Sequence, residues 1–239
     1  MFVSDWAVRL VGTELDLALL AELAQAPSAR VERREGEYFL VSDEFARMGA
    51  ADSIRKRAEY LVELINGSVR TRRPDFAPIE AQEVVAPTGA RTHFRTASVT
   101  ASVRTTASAV ESRPDGSTVP HPVSSASQSL LHDIAAAQTS SEVEKVLRTL
   151  GRQAPSWVDL YNVLDSIEHE VGGPGALRAK GWVSASELER FTHTANNATA
   201  LGEHARHGRL DWRPPAVPTS LGEARQLLNS VAVRWLDTK

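Results

Sequence analysis

The sequence predicts an α+β fold: a ferredoxin-like βαββαβ sheet domain with an added hairpin, then an all-α helical bundle. Three observations predict it. Over residues 5–85 the apolar spacing switches between period 2 and period 3.6 in the order β-α-β-β-α-β. Past residue 124 only the helical period remains. Between them SRPDGSTVPHPV, ending at Val123, is punctuated by Pro and Gly as a linker is. The predicted division is a sheet domain over 1–112, a linker over 113–123 and a helical domain over 124–239.

Taken in order, Trp6 to Val11 alternates as a strand does. Thr13 is the expected N-cap of a helix carrying Leu15, Leu19, Leu20 and Leu23, and Pro27 closes it. Ala29–Arg33 and Glu37–Val41 read as strands joined at Glu35-Gly36, where a tight hairpin needs positive φ. A second helix begins at Ser53 with Ile54, Ala58, Leu61 and Ile65 on one stripe, and Asn66-Gly67 is its expected left-handed end. Ile79–Val85 reads as a strand. A long alternating run follows over about 92–110, with Ala97, Val99, Ala101 and Val103 on one face; it is expected to bulge or to split in two.

The helical half holds five predicted helices. The first spans Ser124–Ala137; Ser141-x-x-Glu144 opens the second and Gly151 ends it. The third, Ser156–Val171, presents Trp157, Leu160, Tyr161, Leu164 and Ile167 as an apolar stripe. Ser184-x-x-Glu187 and Ser220-x-x-Glu223 open the last two. Four of the five tryptophans lie after residue 150, so this half is expected to hold a core of its own.

Composition excludes several function classes. The formal charge is −3, divided as −2 up to residue 120 and −1 beyond, so neither half is a basic module for nucleic acid or anionic lipid. With no cysteine there are no disulfides, thiolate metal sites or cysteine nucleophiles. The opening MFVSDWAVRLVG lacks a basic n-region followed by an apolar run, and no stretch reaches ~18 uninterrupted apolar residues. A cytoplasmic protein without a membrane partner is therefore expected. Only four of 27 basic residues are Lys, a bias of G+C-rich bacterial genes rather than a sign of phosphate binding.

The motifs weigh mostly toward structure. Gly172-Gly173-Pro174-Gly175 follows a helix, whereas a phosphate loop follows a strand and opens a helix; it reads as a stop signal. Asp165 and His169 share a helical face at a spacing metals use, but no further ligands accompany them, so no metal and no cofactor are expected. Tyr38 and Phe39 stand where an RNA-recognition motif displays its stacking platform. Acidic Glu35 and Glu37 flank them and the two rings point to opposite faces, so core packing is expected.

One cluster remains, RFTHTANNATALGEHARHGRLDW, from Arg190 to Trp212. In its structural reading, Arg190, Arg206 or Arg209 pairs with the acids of the 156–171 helix, while His and Asn cap helix ends. In its chemical reading His193 and His207 are acid/base candidates, Arg190 and Arg206 hold an anion, and Asn196 orients the substrate.

Gly181-Trp182, Arg190 to Asn196, Ala205 to Gly208 and the closing Glu223-Ala224 … Trp235-Leu236 resemble the C-terminal half of uncharacterised bacterial proteins, a resemblance that implies no activity. The late Asn196 and His207 also resemble the polar motif of HEPN-type helical domains, which are often ribonucleases or accessory modules of defence and toxin systems. That ribonuclease pattern places four to six residues between Arg and His; here Arg190 and His193 have two between them, and Arg190 and His204 have thirteen. The leading expectation is a non-enzymatic module that binds a protein partner or forms a homo-oligomer. The alternative is a HEPN-like factor that binds or cleaves RNA, or binds a nucleotide, at the 190–208 elbow.

Overall fold

The computed structural model describes residues 5–94, 123–202, 205 and 215–239. The part of the alternating run beyond Phe94, the predicted linker up to Pro122, and His204, Arg206, His207 and Arg209 lie outside the described residues. The chain is mixed α+β and divides into two compact units, Met1–Glu59 with Glu80–Leu131, and Tyr60–Ile79 with His132–Lys239.

The first unit is built on a six-stranded antiparallel sheet. Its strands are β1 (Ala7–Val11), β2 (Gln25–Ala26), β3 (Ala29–Arg34), β4 (Glu37–Val41), β5 (Glu80–Val85) and β6 (Arg91–His93). Their order across the sheet is β2-β3-β4-β1-β5-β6. The inner four follow the ferredoxin-like order predicted from the sequence, and β2 and β6 extend the two sides. Glu35 and Gly36 both take positive φ, 51° and 86°, so the β3–β4 hairpin turns as its Glu-Gly pair predicts. Register puts Val8, Leu10, Val31, Tyr38, Leu40 and Val84 on one face. Helix α1 (Glu14–Leu23) is anchored to this face, where the Tyr38 hydroxyl donates to Glu14 at 2.9 Å. Thr13 caps α1 by accepting from the Asp16 amide. The cap sets a phase in which Leu17, Leu20 and Leu23 are buried and Leu15 is left 56% exposed, so Leu15 is not part of the inward stripe. Tyr38 and Phe39 are both buried, on opposite faces, as core residues are.

The helix expected to begin at Ser53 and to end at Asn66-Gly67 is α3 (Ala51–Arg72), preceded by α2 (Asp43–Met48), and it runs straight through that pair. The reason is packing in the second unit. A Cβ on Gly67 would lie 2.0 Å from the Leu147 carbonyl oxygen, and one on Gly151 2.3 Å from that of Glu63. These glycines let α3 and α5 (Ser141–Gly151) meet backbone to backbone. Asn66 is likewise a tie rather than a terminator: it is 4% exposed, and its side-chain amide bonds both the N–H and the carbonyl of Ile79.

The second unit also contains α4 (Val123–Thr139) from His132 onward, α6 (Trp157–Val171), α7 (Pro174–Ala179), α8 (Ala185–Ala195), α9 (Ala198–Leu201) and α10 (Leu221–Leu236). Its core joins Leu147, Leu160, Leu164, Ile167, Phe191, Leu228 and Trp235, all nearly or fully buried. Phe191 of α8 meets the rings of Trp157 and Tyr161 on α6 at 5.9 and 6.0 Å. The cap of α5 is Ser140 and not Ser141, since the Ser140 hydroxyl accepts from the Val143 amide. Gly172 and Gly173 take φ of 97° and 100° between α6 and α7, the helix stop their sequence predicts. Among the described residues no helix is long and apolar enough to cross a membrane.

Candidate functional site

The second unit carries a groove of about 520 Å³ formed by the turn before α8, by α8 itself and by α10. Local sequence explains each wall. Ser184 and Glu187 form a capping box: the Glu187 amide donates to the Ser184 hydroxyl at 3.2 Å, and the Ser184 amide donates to the Glu187 carboxylate at 3.1 Å. Ser220 and Glu223 repeat the arrangement at the start of α10, with distances of 3.2 and 2.7 Å. Two helix starts are thereby fixed side by side along the groove.

Two guanidiniums brace them. Arg190, on α8, donates to Glu223 on α10 at 3.1 Å. Arg234, near the end of α10, donates to the carbonyls of Gly181 and Trp182 at 3.1 and 3.2 Å, holding the turn that the positive φ of Gly181 permits. Val183, Leu227 and Trp182 contribute apolar surface, and Thr219, Gln226 and Ser230 contribute polar atoms. Thr219 is 4% exposed, and its hydroxyl has no partner among the described residues. Its amide is satisfied, donating to the Thr194 hydroxyl at 3.0 Å. A buried hydroxyl without a partner costs about 1–3 kcal/mol.

The carboxylates of the groove are not proton donors at neutral pH. The Ser184 hydroxyl and then its amide hold Glu187 below the usual carboxylate range. Glu223 is lowered by the Ser220 amide first, then the Ser220 hydroxyl and Arg190. Glu187 and Glu223 are matched by Arg190 and Arg234, so the groove is polar but balanced in charge.

Of the residues nominated from sequence, Arg190 lines this groove. Its acid is Glu223, rather than one on the 156–171 helix. His193 sits one turn further along α8 with its side chain 40% exposed; Nε2 is 4.0 Å from Glu189, and the ring is not part of the groove lining. Asn196 is the C-cap of α8: its amide nitrogen donates to the Thr192 carbonyl at 2.9 Å, and its buried carbonyl oxygen has no partner among the described residues. Asn197 caps α9 by accepting from the Ala200 amide at 2.9 Å. Both adjacent asparagines thus serve helix ends. Arg206 and His207 lie outside the described residues. No group of three or more His, Cys, Asp or Glu that could hold a metal occurs among the described residues.

Sequence reasoning passed over Trp182, Thr219, Leu227 and Arg234. The available signal was the pair of Ser-x-x-Glu boxes at 184 and 220, which mark two helix starts but do not say that they are neighbours. Comparisons with protein-family models, curated proteins and solved structures find no match.

Proposed function

We propose that this chain is a non-enzymatic protein-interaction module of the bacterial cytosol, and that its second unit receives an uncharged, extended polypeptide segment in the groove between α8 and α10. The observation that supports this reading is the balanced charge of a polar groove, with Arg190 paired to Glu223 and a threonine hydroxyl that has no partner among the described residues. An anionic ligand would meet Glu187 and Glu223, and a cationic one would meet Arg190 and Arg234. A peptide backbone carries no net charge and offers donors and acceptors in alternation, which matches Ser184, Thr219, Gln226 and Ser230. Leu227 and Trp182 supply apolar contact for its side chains. A volume of about 520 Å³ takes a few residues, the size of a short linear motif.

The test selects peptides from a randomised display library against the full chain and measures the best binder by fluorescence anisotropy. Binding weakened at least about tenfold by Leu227→Arg supports the reading. Failure to select any binder, or binding indifferent to Leu227→Arg, overturns it. Short RNA that binds the wild type and is lost with Arg190→Ala also overturns it, in favour of the RNA-directed alternative.

A further inference from the structure

The first unit carries a separate cluster of ionisable groups on the sheet face opposite α1. Register places Ala7, Arg9, Glu37, Phe39, Val41, Glu83, Val85, Arg91 and His93 on this face. Ala7, Phe39, Val41 and Val85 form its buried apolar centre. Beside them Glu83, on β5, is the direct cross-strand partner of His93 on β6.

Glu83 is 1% exposed, and both of its oxygens are engaged. Arg91 donates to Oε2 at 2.9 Å, and His93 Nε2 lies 2.9 Å from Oε1. Arg91 also donates to Glu37 at 3.3 Å, and Glu37 in turn lies 2.6 Å from Arg9 Nε. Arg9 further donates to Gln82, the residue left unpaired where the β1–β5 register shifts. Arg9 and Arg91 offset Glu37 and Glu83, so an approaching dianion meets no net negative charge from these four groups.

The imidazole is 73% exposed while the carboxylate behind it is buried. A nitrogen lone pair does not rest 2.9 Å from a carboxylate oxygen, so Nε2 carries a proton. In the neutral ring the lone pair is then on Nδ1, and the carboxylate beside Nε2 holds the ring in place. Among the described histidines, His93 alone has its ring within ion-pair distance of a buried carboxylate; His193 faces an exposed one, at 4.0 Å.

We propose that His93 Nδ1 is a phosphoryl acceptor, with Glu83 as the positioning residue that presents it. The donor is a compound or phosphoprotein with a labile P–N or acyl-phosphate bond. Nδ1 attacks phosphorus, the P–Nδ1 bond forms, the donor's bond to phosphorus breaks, and the leaving group departs with the electron pair. The positive charge left on the ring remains beside the Glu83 carboxylate, and no proton has to move. Arg91, two positions away on the same face and 46% exposed, is placed to meet the phosphoryl oxygens. This inference is independent of the peptide groove.

The test treats the full chain with potassium phosphoramidate, whose leaving group is ammonia, and follows the products by ³¹P NMR and tandem mass spectrometry. The expected product is the Nδ1 isomer at His93, formed at least about tenfold faster than phosphohistidine at any other position. Glu83→Gln lowers that rate about tenfold and lets the Nε2 isomer form. The Nε2 isomer at His93 of the wild type, or labelling of His93 no faster than of the other histidines, overturns the proposal. If circular dichroism shows that Glu83→Gln does not fold, the rate at His93 relative to the other histidines of the folded wild type decides by itself.

Discussion

Gly67→Ala probes the tightest glycine contact among the described residues. The new Cβ would stand 2.0 Å from the Leu147 carbonyl oxygen, 2.6 Å from its carbon and 2.9 Å from Cα, whereas ordinary contact begins at 3.4 Å. All three obstacles are backbone, so relief requires α3 and α5 to separate locally by about 1.4 Å. A gap of only ~0.5–1 Å already forfeits a quarter to a half of each dispersion contact it opens. Overpacking costs about 1–3 kcal/mol and more where nothing can yield, and backbone against backbone is that case. Alanine regains about 1 kcal/mol of helix propensity in the interior of α3. The net expectation is a loss of about 2–3 kcal/mol, or roughly 5–10 °C in Tm for a chain of this size. Urea titration followed by circular dichroism and calorimetry measures it. The matched control is Gly175→Ala, which meets nothing within 4 Å and should change stability by less than about 1 kcal/mol. Equal stabilities for Gly67→Ala and the wild type would refute the close-packed α3–α5 contact.

Asp133 is fully buried, with Ser68 Oγ 2.6 Å and Arg72 Nη2 3.3 Å from its oxygens. Burial lifts its carboxyl above the usual range against the opposing pull of Ser68 and Arg72. The folded chain therefore binds this proton more tightly than the unfolded chain does. The stabilisation is fully present below the ordinary carboxylate range and is lost as pH rises through the raised folded value. Urea midpoints measured between about pH 4 and pH 8 should show that slope in the wild type relative to Asp133→Asn; parallel curves would contradict it. Arg190→Ala removes a solvent-screened pair with Glu223, so the urea midpoint should barely move, while affinity for a selected peptide falls about tenfold in anisotropy titrations.

Periodicity and caps made most of the fold legible. Alternation in Ala7–Val11 and Glu37–Val41, the Glu35-Gly36 turn and the Ser-x-x-Glu boxes at 184 and 220 are local signals, and local physics decides them. The misplaced helix end came from a glycine and an asparagine. Asn66-Gly67 has the composition of a helix end, yet Gly67 is needed for contact with Leu147, and Asn66 for the backbone of Ile79. Contacts across roughly 80 and 13 residues carry no local sequence signature. The same limit applies to the sites. The elbow drew attention because its polar residues are consecutive, but Asn196 and Asn197 are occupied as caps. The α8–α10 groove joins Trp182 and Arg190 to Thr219, Leu227 and Arg234, and His93 meets Glu83 only through strand pairing.

Hydrogen–deuterium exchange of the full chain with and without a selected peptide tests the interaction reading most directly. Protection on binding should concentrate in residues 181–190 and 219–234, the walls of the groove. Protection confined to the β-sheet, with those segments unchanged, would contradict it.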